Sequence, residues 1–529
     1  MVNTQLFQTL KGGLLPKADA VNHAQAPAYA FSPRHQLAQL AATGCLNHTF
    51  YATADEQLDQ VLVLARELEP AFVAKTAIHA RQAGHMKDMP ALLLAVLASR
   101  DVQLLESAFG RVVDSGKMLR NFVQIVRSGV TGRKSLGSRP KKLVQQWLLT
   151  ASEAQLLQAS VGNSPSLADV VKMVHPKPTE PWRAAWFAWL IGKPHDEAAL
   201  PPLTWAFEQF KRALLNGPDA TRPLPALPDV PFQLLTALDL STGHWSDIAR
   251  KGSWQMVRQN LNTFARHGVF AVPGVAEAVA AKLRDLSSIR RARVLPYQLL
   301  AAFKAAGPEV PAVVREALQD AMDTALVNVP QLDGQVVVCP DVSGSMSSAV
   351  TGQRGTATSA VRCIDIAALV AAAFCAKNRH TQVLPFERTV VQVDLNPRDS
   401  VLTNAARLAS IGGGGTNVSA PLARLNDQRA MVDLVVIVSD NESWVDARHH
   451  GGTETMRQWS ALKARCPAAK LVCIDIQPNR TSQAAERADV MNVGGFSDAV
   501  FLAVAQFANG TLDAGHWVGE IEKIPLEAQ

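Results

Sequence analysis

Five oxygen-bearing side chains in the second half of the chain have the types and order of a hard-cation site. Asp341, Ser343 and Ser345 form D-x-S-x-S at the end of the apolar run VVVCPD. Thr416 follows four glycines, Gly412–Gly415, and Asp440 ends a second apolar run, VVIVSD. Magnesium takes oxygen ligands near octahedral geometry, keeps several waters and needs few carboxylates. Hydroxyls beside two carboxylates meet that need, and glycines let the backbone carry Thr416 close to an ion. Turn chemistry explains any one member but not all five in order. The expected cofactor is a divalent cation, Mg2+.

Other chemistries find less support. GGGGTN lacks the G-K-[ST] ending of a phosphate loop. DVSGSM is not a G-x-S-x-G elbow, and no histidine follows at a triad position. His449 and His450 are adjacent, so their side chains diverge, and they read as an exposed loop. Glu520 and Glu522 read as a solvated face. No catalytic site is expected, so the chain reads as a non-enzyme.

The elements that must hold the five residues follow a clear alternation after Asp333. GQVVVCPD, TQVLPF, VDLVVIVSD and AKLVCIDIQ are short β-branched runs, separated by helical stretches over 359–377, 417–425, 454–466 and 498–507. Such alternation predicts a parallel sheet with helices on both faces, and ligands of such sheets bind at the carboxyl ends of the strands.

The first 330 residues have a different period. Leu167, Val170, Val171 and Val174 repeat at helical spacing, with His175-Pro176 as the stop. Trp254, Val257, Leu261 and Phe264 predict one helix from Ser253 to Gly268. Further helices are expected over 54–68, 71–83, 89–98, 140–149, 275–286 and 296–306, which suggests stacked helix pairs. Trp182, Trp186 and Trp189 at i, i+4, i+7 read as core. AYAFSP and HTFYAT near the start suggest a short β-ribbon.

At 529 residues the chain exceeds one hydrophobic core, so at least two domains are expected. A hydrophobic fraction of 48% with 19% charged residues excludes a disordered or collagen-like chain. The net charge of +6 divides unevenly: residues from Gln331 onward hold 17 Lys/Arg against 20 Asp/Glu, so the first part is near +9 and the second near −3. A polyanionic partner would therefore meet the first 330 residues. Six cysteines without a CxxC pair read as reduced thiols. The start lacks a signal-peptide pattern, and the longest apolar run, 366–376, is too short to span a bilayer. A cytoplasmic protein with no membrane contact is expected.

Candidate polyanion contacts are Arg133-Lys134, Arg139 with Lys141 and Lys142, Lys172 with His175 and Lys177, Arg250-Lys251, and Arg290, Arg291 and Arg293. Arg258, Asn262 and Arg266 recur every four residues as a polar stripe on one helix. Lysine and arginine at such positions neutralise phosphates.

The metal-type set resembles the metal-ion-dependent adhesion site of von Willebrand factor A domains, over about 334–507. In that family, positions matching Ser343, Ser345 and Thr416 give hydroxyl ligands, and those matching Asp341 and Asp440 hold coordinated waters. One position stays open for an acidic group of a partner. NHAQAPAYAFSPRHQLAQLAATGCLNHTFYAT is similar to the opening of the TROVE domain. DVVKMVHPKP and IRRARVLPYQLLAAF resemble that domain's helix-ending and late basic-to-apolar motifs. TROVE followed by an A domain is the arrangement of Ro 60 kDa proteins, and the chain is identified as a member of the bacterial branch.

The resemblance implies an α + α/β fold: a HEAT-like helical-repeat ring (1–330) closed by a doubly wound A domain (331–510). A C-terminal tail (511–529) would pack back on the ring. It further implies a monomeric ring that binds small noncoding, Y-like RNA and single-stranded 3′ ends of misfolded structured RNAs. The role would be a noncatalytic adaptor in RNA quality control, with polynucleotide phosphorylase as a possible partner. Another reading is a metal-dependent interaction scaffold that recruits an acidic partner through the A domain. One departure stands out: residues 143–171 contain no lysine or arginine, although animal relatives carry RNA-contacting cations before the HPKP-like motif.

Overall fold

The computed structural model describes residues 16–22, 25–43, 53–215, 225–292, 294–354, 357–358, 360–378, 380–440, 442–443, 452–477, 480–496, 499–510 and 516–526. Its architecture is α + α/β. The strands, numbered along the chain, are β1 (Ala20–Val21), β2 (Pro27–Ala30), β3 (Val336–Pro340), β4 (Gln353–Arg354), β5 (Ala357–Thr358), β6 (Thr381–Val383), β7 (Leu434–Ser439), β8 (Lys470–Asp475), β9 (Thr481–Ser482) and β10 (Val490–Gly494).

Five of them form one parallel sheet in the order β10-β8-β7-β3-β6. Four match the β-branched runs; β10, from the short stretch VMNVG, is an addition that the sequence pattern did not signal. Successive residues of a strand point to opposite faces. Val337, Cys339, Val435, Ile437, Leu471 and Cys473 therefore share one face, packed with Leu422, Leu425, Trp459 and Leu462. Helix Cys363–Lys377, buried over thirteen consecutive residues, covers the other face. Burial on both faces is why these strands read as continuous apolar runs rather than alternating ones. The chain steps from β3 to β6 on one side and then to β7 on the other. The sheet thus reverses direction between β3 and β7, where a crevice opens at the carboxyl ends.

Helix boundaries shift for local reasons. The first helix after the metal-type loop begins at Cys363, not 359, with Asp365 Oδ2 accepting the Arg362 N–H at 2.8 Å. The next expected helix starts at Ala420, because Asn417 Oδ1 accepts from the Ser419 N–H at 3.1 Å and holds a turn there. Helix Val401–Ala409 was not signalled.

The expected single helix from Ser253 to Gly268 is two helices, Trp254–Gln259 and Leu261–Arg266. Asn260 leaves helical geometry at φ −117°, ψ 17°, and its Nδ2 donates to Met256 O at 2.8 Å. The apolar face survives the break: Trp254, Val257, Leu261 and Phe264 are all buried.

In the first half, the described helices include Ala54–Glu67, Pro70–Gln82, Asp88–Arg100, Val102–Val112, Gly116–Ser128, Ser138–Thr150, Glu153–Ser160 and Leu167–Val174. Ser152 and Ser166 begin the last two with capping boxes, paired with Gln155 and Asp169. Trp186 is fully buried and its indole donates to Thr204 Oγ1 at 3.0 Å, as a core residue should. No described helix is long and apolar enough to cross a membrane.

Compactness divides the chain differently from a boundary at residue 330. One unit holds the described parts of Met1–Leu64, Ser253–Asn262 and Ala276–Ile521; the other holds those of Ala65–Gly252, Thr263–Val275 and Glu522–Gln529. The N-terminal segment joins the first unit through backbone pairing. β2 pairs with β1 and also with β9, placing Tyr29 opposite Ser482. The expected ribbon thus uses AYA, but its partners are Ala20–Val21 and Thr481–Ser482. Residues 44–52, which hold Cys45 and most of HTFYAT, lie outside the described residues. The other five cysteines are free and buried.

Helix packing in the second unit is close enough to test. A Cβ on Gly116, at the start of its helix, would run into the Cα and Cβ of Ala159. Gly116→Ala should therefore destabilise the protein by about 1–3 kcal/mol despite alanine's higher helix propensity. Chemical denaturation checks this, and a neutral or stabilising result would contradict the packing.

Candidate metal centre and cationic surfaces

Adjacency of β3 and β7 places Asp341 and Asp440 side by side, each one residue beyond its strand. Asp341 is fully buried and Asp440 nearly so. Asp341 Oδ1 accepts the Ser343 N–H at 2.8 Å, and Oδ2 accepts the Ser439 hydroxyl at 2.6 Å. Ser343 Oγ lies 3.3 Å from Ser345 Oγ and accepts the Thr416 hydroxyl at 2.9 Å. All three hydroxyls therefore converge beside the Asp341 carboxylate.

The glycine run delivers Thr416. Gly413 N–H donates to Val342 O at 3.1 Å, and Gly344 N–H donates to Gly414 O at 3.3 Å. Those bonds tie the two loops together. Gly414 adopts φ +71°, which favours glycine, and a Cβ there would also force the Glu387 carboxylate to move.

Electrostatics are consistent with a missing positive charge. Burial, and secondarily the Asp440 carboxylate, pushes the Asp341 carboxyl up to about 7, against the pull of bonds from Ser439 and Ser343. A cation beside the pair would relieve both effects. The donor set is all oxygen, which fits Mg2+ and does not fit a soft metal. A carboxylate oxygen has two lone pairs, so one that accepts a single hydrogen bond can also bind a coordinated water. Among the described residues, no three His, Cys, Asp or Glu side chains converge as a metal cage, so hydroxyls are essential to this set. Ser345 and Gly344 are accessible, leaving a route from solvent.

Sequence spacing overlooked three neighbours. Ser439 precedes Asp440 directly and orients Asp341 across the sheet. Glu442 and Asp475, the latter ending β8, are also buried nearby. The S-D pair at a strand end was the available signal for Ser439. His449 and His450 lie outside the described residues.

The cationic candidates are not one surface. Gln145, on helix Ser138–Thr150, donates from Nε2 to Val174 O at 2.6 Å and to His175 O at 3.4 Å. That contact joins the helix that bears Lys141 and Lys142, one turn before Gln145, to the helix end that bears Lys172, His175 and Lys177; Lys142, Lys172, His175 and Lys177 are exposed. His175 is in the left-handed region at φ +51°, which turns the chain sharply there. Lys134 is exposed, while Arg139 pairs with Glu106 at 2.8 Å.

Other candidates have structural duties. The Arg133 guanidinium donates to Ala98 O and Leu136 O. Arg258 is buried, donates to Gln298 O at 2.6 Å and lies over the Trp254 ring. Asn262 bonds Ala305 O and the Gly307 N–H, at 2.7 and 2.8 Å, and exposed Arg266 donates to Thr263 Oγ1. The expected stripe of 258, 262 and 266 is therefore broken by the kink at Asn260 and by burial of its first member. Arg250 donates to Pro273 O, and Lys251 pairs with Asp247. Arg290 and Arg291 are exposed; Arg293 lies outside the described residues.

Comparison with known proteins bears on the A-type domain and on the fold. Residues 335–508 match the Ro60 vWA domain family. The chain is 24% identical over 520 residues to the RNA-binding protein RO60 of Deinococcus radiodurans, covering 92% of this chain and 95% of that protein. The crystal structure of the Ro (Rsr) protein from the same organism aligns with a TM-score of 0.63 at 19% identity, over 91% of this chain and all of that one. At that identity the structural likeness speaks to the fold.

The metal assignment has a direct check. Magnesium at about 100 times its dissociation constant should raise unfolding free energy by about 2.7 kcal/mol in the parent. The double variant Asp341→Ala, Ser343→Ala should lose that increment in thermal melts. Equal stabilisation of both proteins by magnesium would refute the assignment.

Proposed function

We propose that the chain is a bacterial Ro60-type RNA-binding protein without catalytic activity of its own, a reading supported by the Ro60 vWA match over 335–508 and by the likeness to the RNA-binding protein RO60 of Deinococcus radiodurans. In this reading it binds small noncoding, Y-like RNA and the single-stranded 3′ ends of misfolded structured RNAs. It acts in RNA quality control as an adaptor, and the chemistry of degradation belongs to a partner nuclease such as polynucleotide phosphorylase. A divalent cation, Mg2+, at Asp341, Ser343, Ser345, Thr416 and Asp440 serves structure and offers one coordination position to an acidic group of a partner.

The observation that carries the RNA reading is the Gln145 contact, which joins the helix bearing Lys141 and Lys142 to the helix end bearing Lys172, His175 and Lys177. Compact ammonium groups on an exposed surface suit phosphate oxygens, whose neutralisation releases counterions and drives nucleic-acid binding. The same contact offers a reason why 143–171 can lack lysine and arginine. Cations flank that stretch in sequence, and the Gln145 contact draws its two ends together, so the footprint has an alternative on either side of a segment without lysine or arginine.

Filter binding over a salt series tests this. Affinity for a structured RNA with a single-stranded 3′ tail should fall steeply between 50 and 200 mM salt, by about a thousandfold if some six phosphates are neutralised. Lys141→Glu with Lys142→Glu should weaken binding by about tenfold and lower the salt slope by about 2. Negligible affinity of the parent at low salt would end the RNA reading. An unchanged slope in the variant would move the interface elsewhere.

A further inference from the structure

The C-terminal segment 522–526 lies on two helices of the mostly helical unit. Lys75 Nζ donates to Glu522 O at 2.7 Å, and Arg111 Nη1 donates to Pro525 O at 2.6 Å. Residues 524–526 have no regular secondary structure, and in both bonds a cation is held by a neutral backbone carbonyl.

Those two cations belong to a connected group. Arg111 Nη2 also reaches Gln82 Oε1 at 3.4 Å, and Lys75 stands two turns before Gln82 on the same helix face. Next to Gln82, Arg81 donates to Met86 O at 3.1 Å and pairs with Asp114 at 2.8 Å. Lys87 follows Met86, and burial first, then Lys117 and Arg81, holds its ammonium below the usual range, with Asp88 opposing. Lys87 and Lys117 are both exposed.

Each lysine also stands at the start of a thirteen-residue helix, Asp88–Arg100 or Gly116–Ser128, where the helix dipole disfavours a cation. The acids in this neighbourhood are engaged: Asp88 accepts from Asn121 at 3.1 Å, and Asp114 holds Arg81. Outside the tail, five cations (Lys75, Arg81, Lys87, Arg111 and Lys117) stand with two acids, Asp88 and Asp114; the tail adds Glu522 and Lys523, which cancel, so the surplus is three positive charges. Crowding like charges at helix N-termini costs stability unless an anion comes to them.

We infer that this group is a second contact for the phosphate backbone of RNA, and that segment 522–526 is a displaceable cover over part of it. The inference rests on the RNA-binding reading. A phosphate oxygen accepts the same donors as the tail carbonyls but carries charge, so it forms the stronger bond to Lys75 and Arg111. The tail therefore acts as a tethered competitor that RNA must lift.

In the full-length chain, residues 522–526 are replaced by a Gly-Ser stretch of equal length, and binding of single-stranded oligouridylate is measured by anisotropy across a salt series. The replacement should tighten binding about three- to tenfold at low salt and steepen the salt slope by about 1. Adding Lys87→Gln and Lys117→Gln should cancel the gain. A second measurement needs no altered tail: saturating RNA should speed amide exchange at 522–526 of the parent. No gain, a gain that survives the lysine changes, or unaltered exchange under saturating RNA each overturns the inference alone. Absence of RNA binding by parent and variant at low salt overturns the broader reading and this inference with it.

Discussion

A carboxylate buried inside a protein is an unfavourable object unless its charge is compensated, and Asp341 is fully buried. Its place at the end of β3 is dictated by a parallel sheet whose strands are buried on both faces. The Ser343 N–H and the Ser439 hydroxyl hold its two oxygens, and Asp440 stands beside it because β7 is the neighbour of β3. The two joined loops, the glycine run and the three converging hydroxyls all follow from enclosing that charge while leaving room for a counter-charge. The site is therefore a property of the sheet's reversal point more than of any one loop.

The helical half shows a division of labour between arginine and lysine that total charge conceals. Arg100 donates to Ala65 O and Leu68 O, Arg133 to Ala98 O, Arg120 to Val161 O and Arg183 to Leu148 O and Ala151 O. In each case an arginine from elsewhere in the chain, on another helix or, for Arg133, in a loop, closes the carboxyl end of a helix, where carbonyls lack intrahelical partners. A planar guanidinium with several donors can satisfy two such carbonyls at once, which an ammonium on a flexible stem does less well. Much of the charge near +9 is thereby built into helix stacking. Lysines such as Lys134, Lys142, Lys172 and Lys177 instead stay exposed and hydrated.

The N-terminal segment illustrates how chain order and compactness part company. Ala28 to Ala30 pair with β1 on one edge and β9 on the other, and Asn22 Nδ2 donates to Ser443 O at 2.6 Å. Gly494 at the end of β10 leaves the space in which Gln39 sits. These contacts join residues more than 400 apart in sequence. They make the first described residues part of the unit that carries the metal-type site.

The order of the five oxygen donors, four of the five sheet strands, the change of period near residue 330 and most helices of the first half could be read from the sequence, because hydrophobic periodicity and turn chemistry are local. β10 could not, since VMNVG is too short and mixed to signal a strand without its neighbour β8. The kink at Asn260 depended on a side chain competing for a backbone carbonyl, and the burial of Arg258 on a helix forty residues away. Which cations share a neighbourhood was likewise undetermined: the helices that bear Lys141 and Lys172 are joined only because Gln145 bonds the carbonyls of Val174 and His175. Sequence alone decided the inventory of oxygen donors and positive charges and their order along the chain. Tertiary structure decided which charges are neutralised by carbonyls and which carboxylates share a dry pocket. Those outcomes depend on distances between elements that local pattern does not encode.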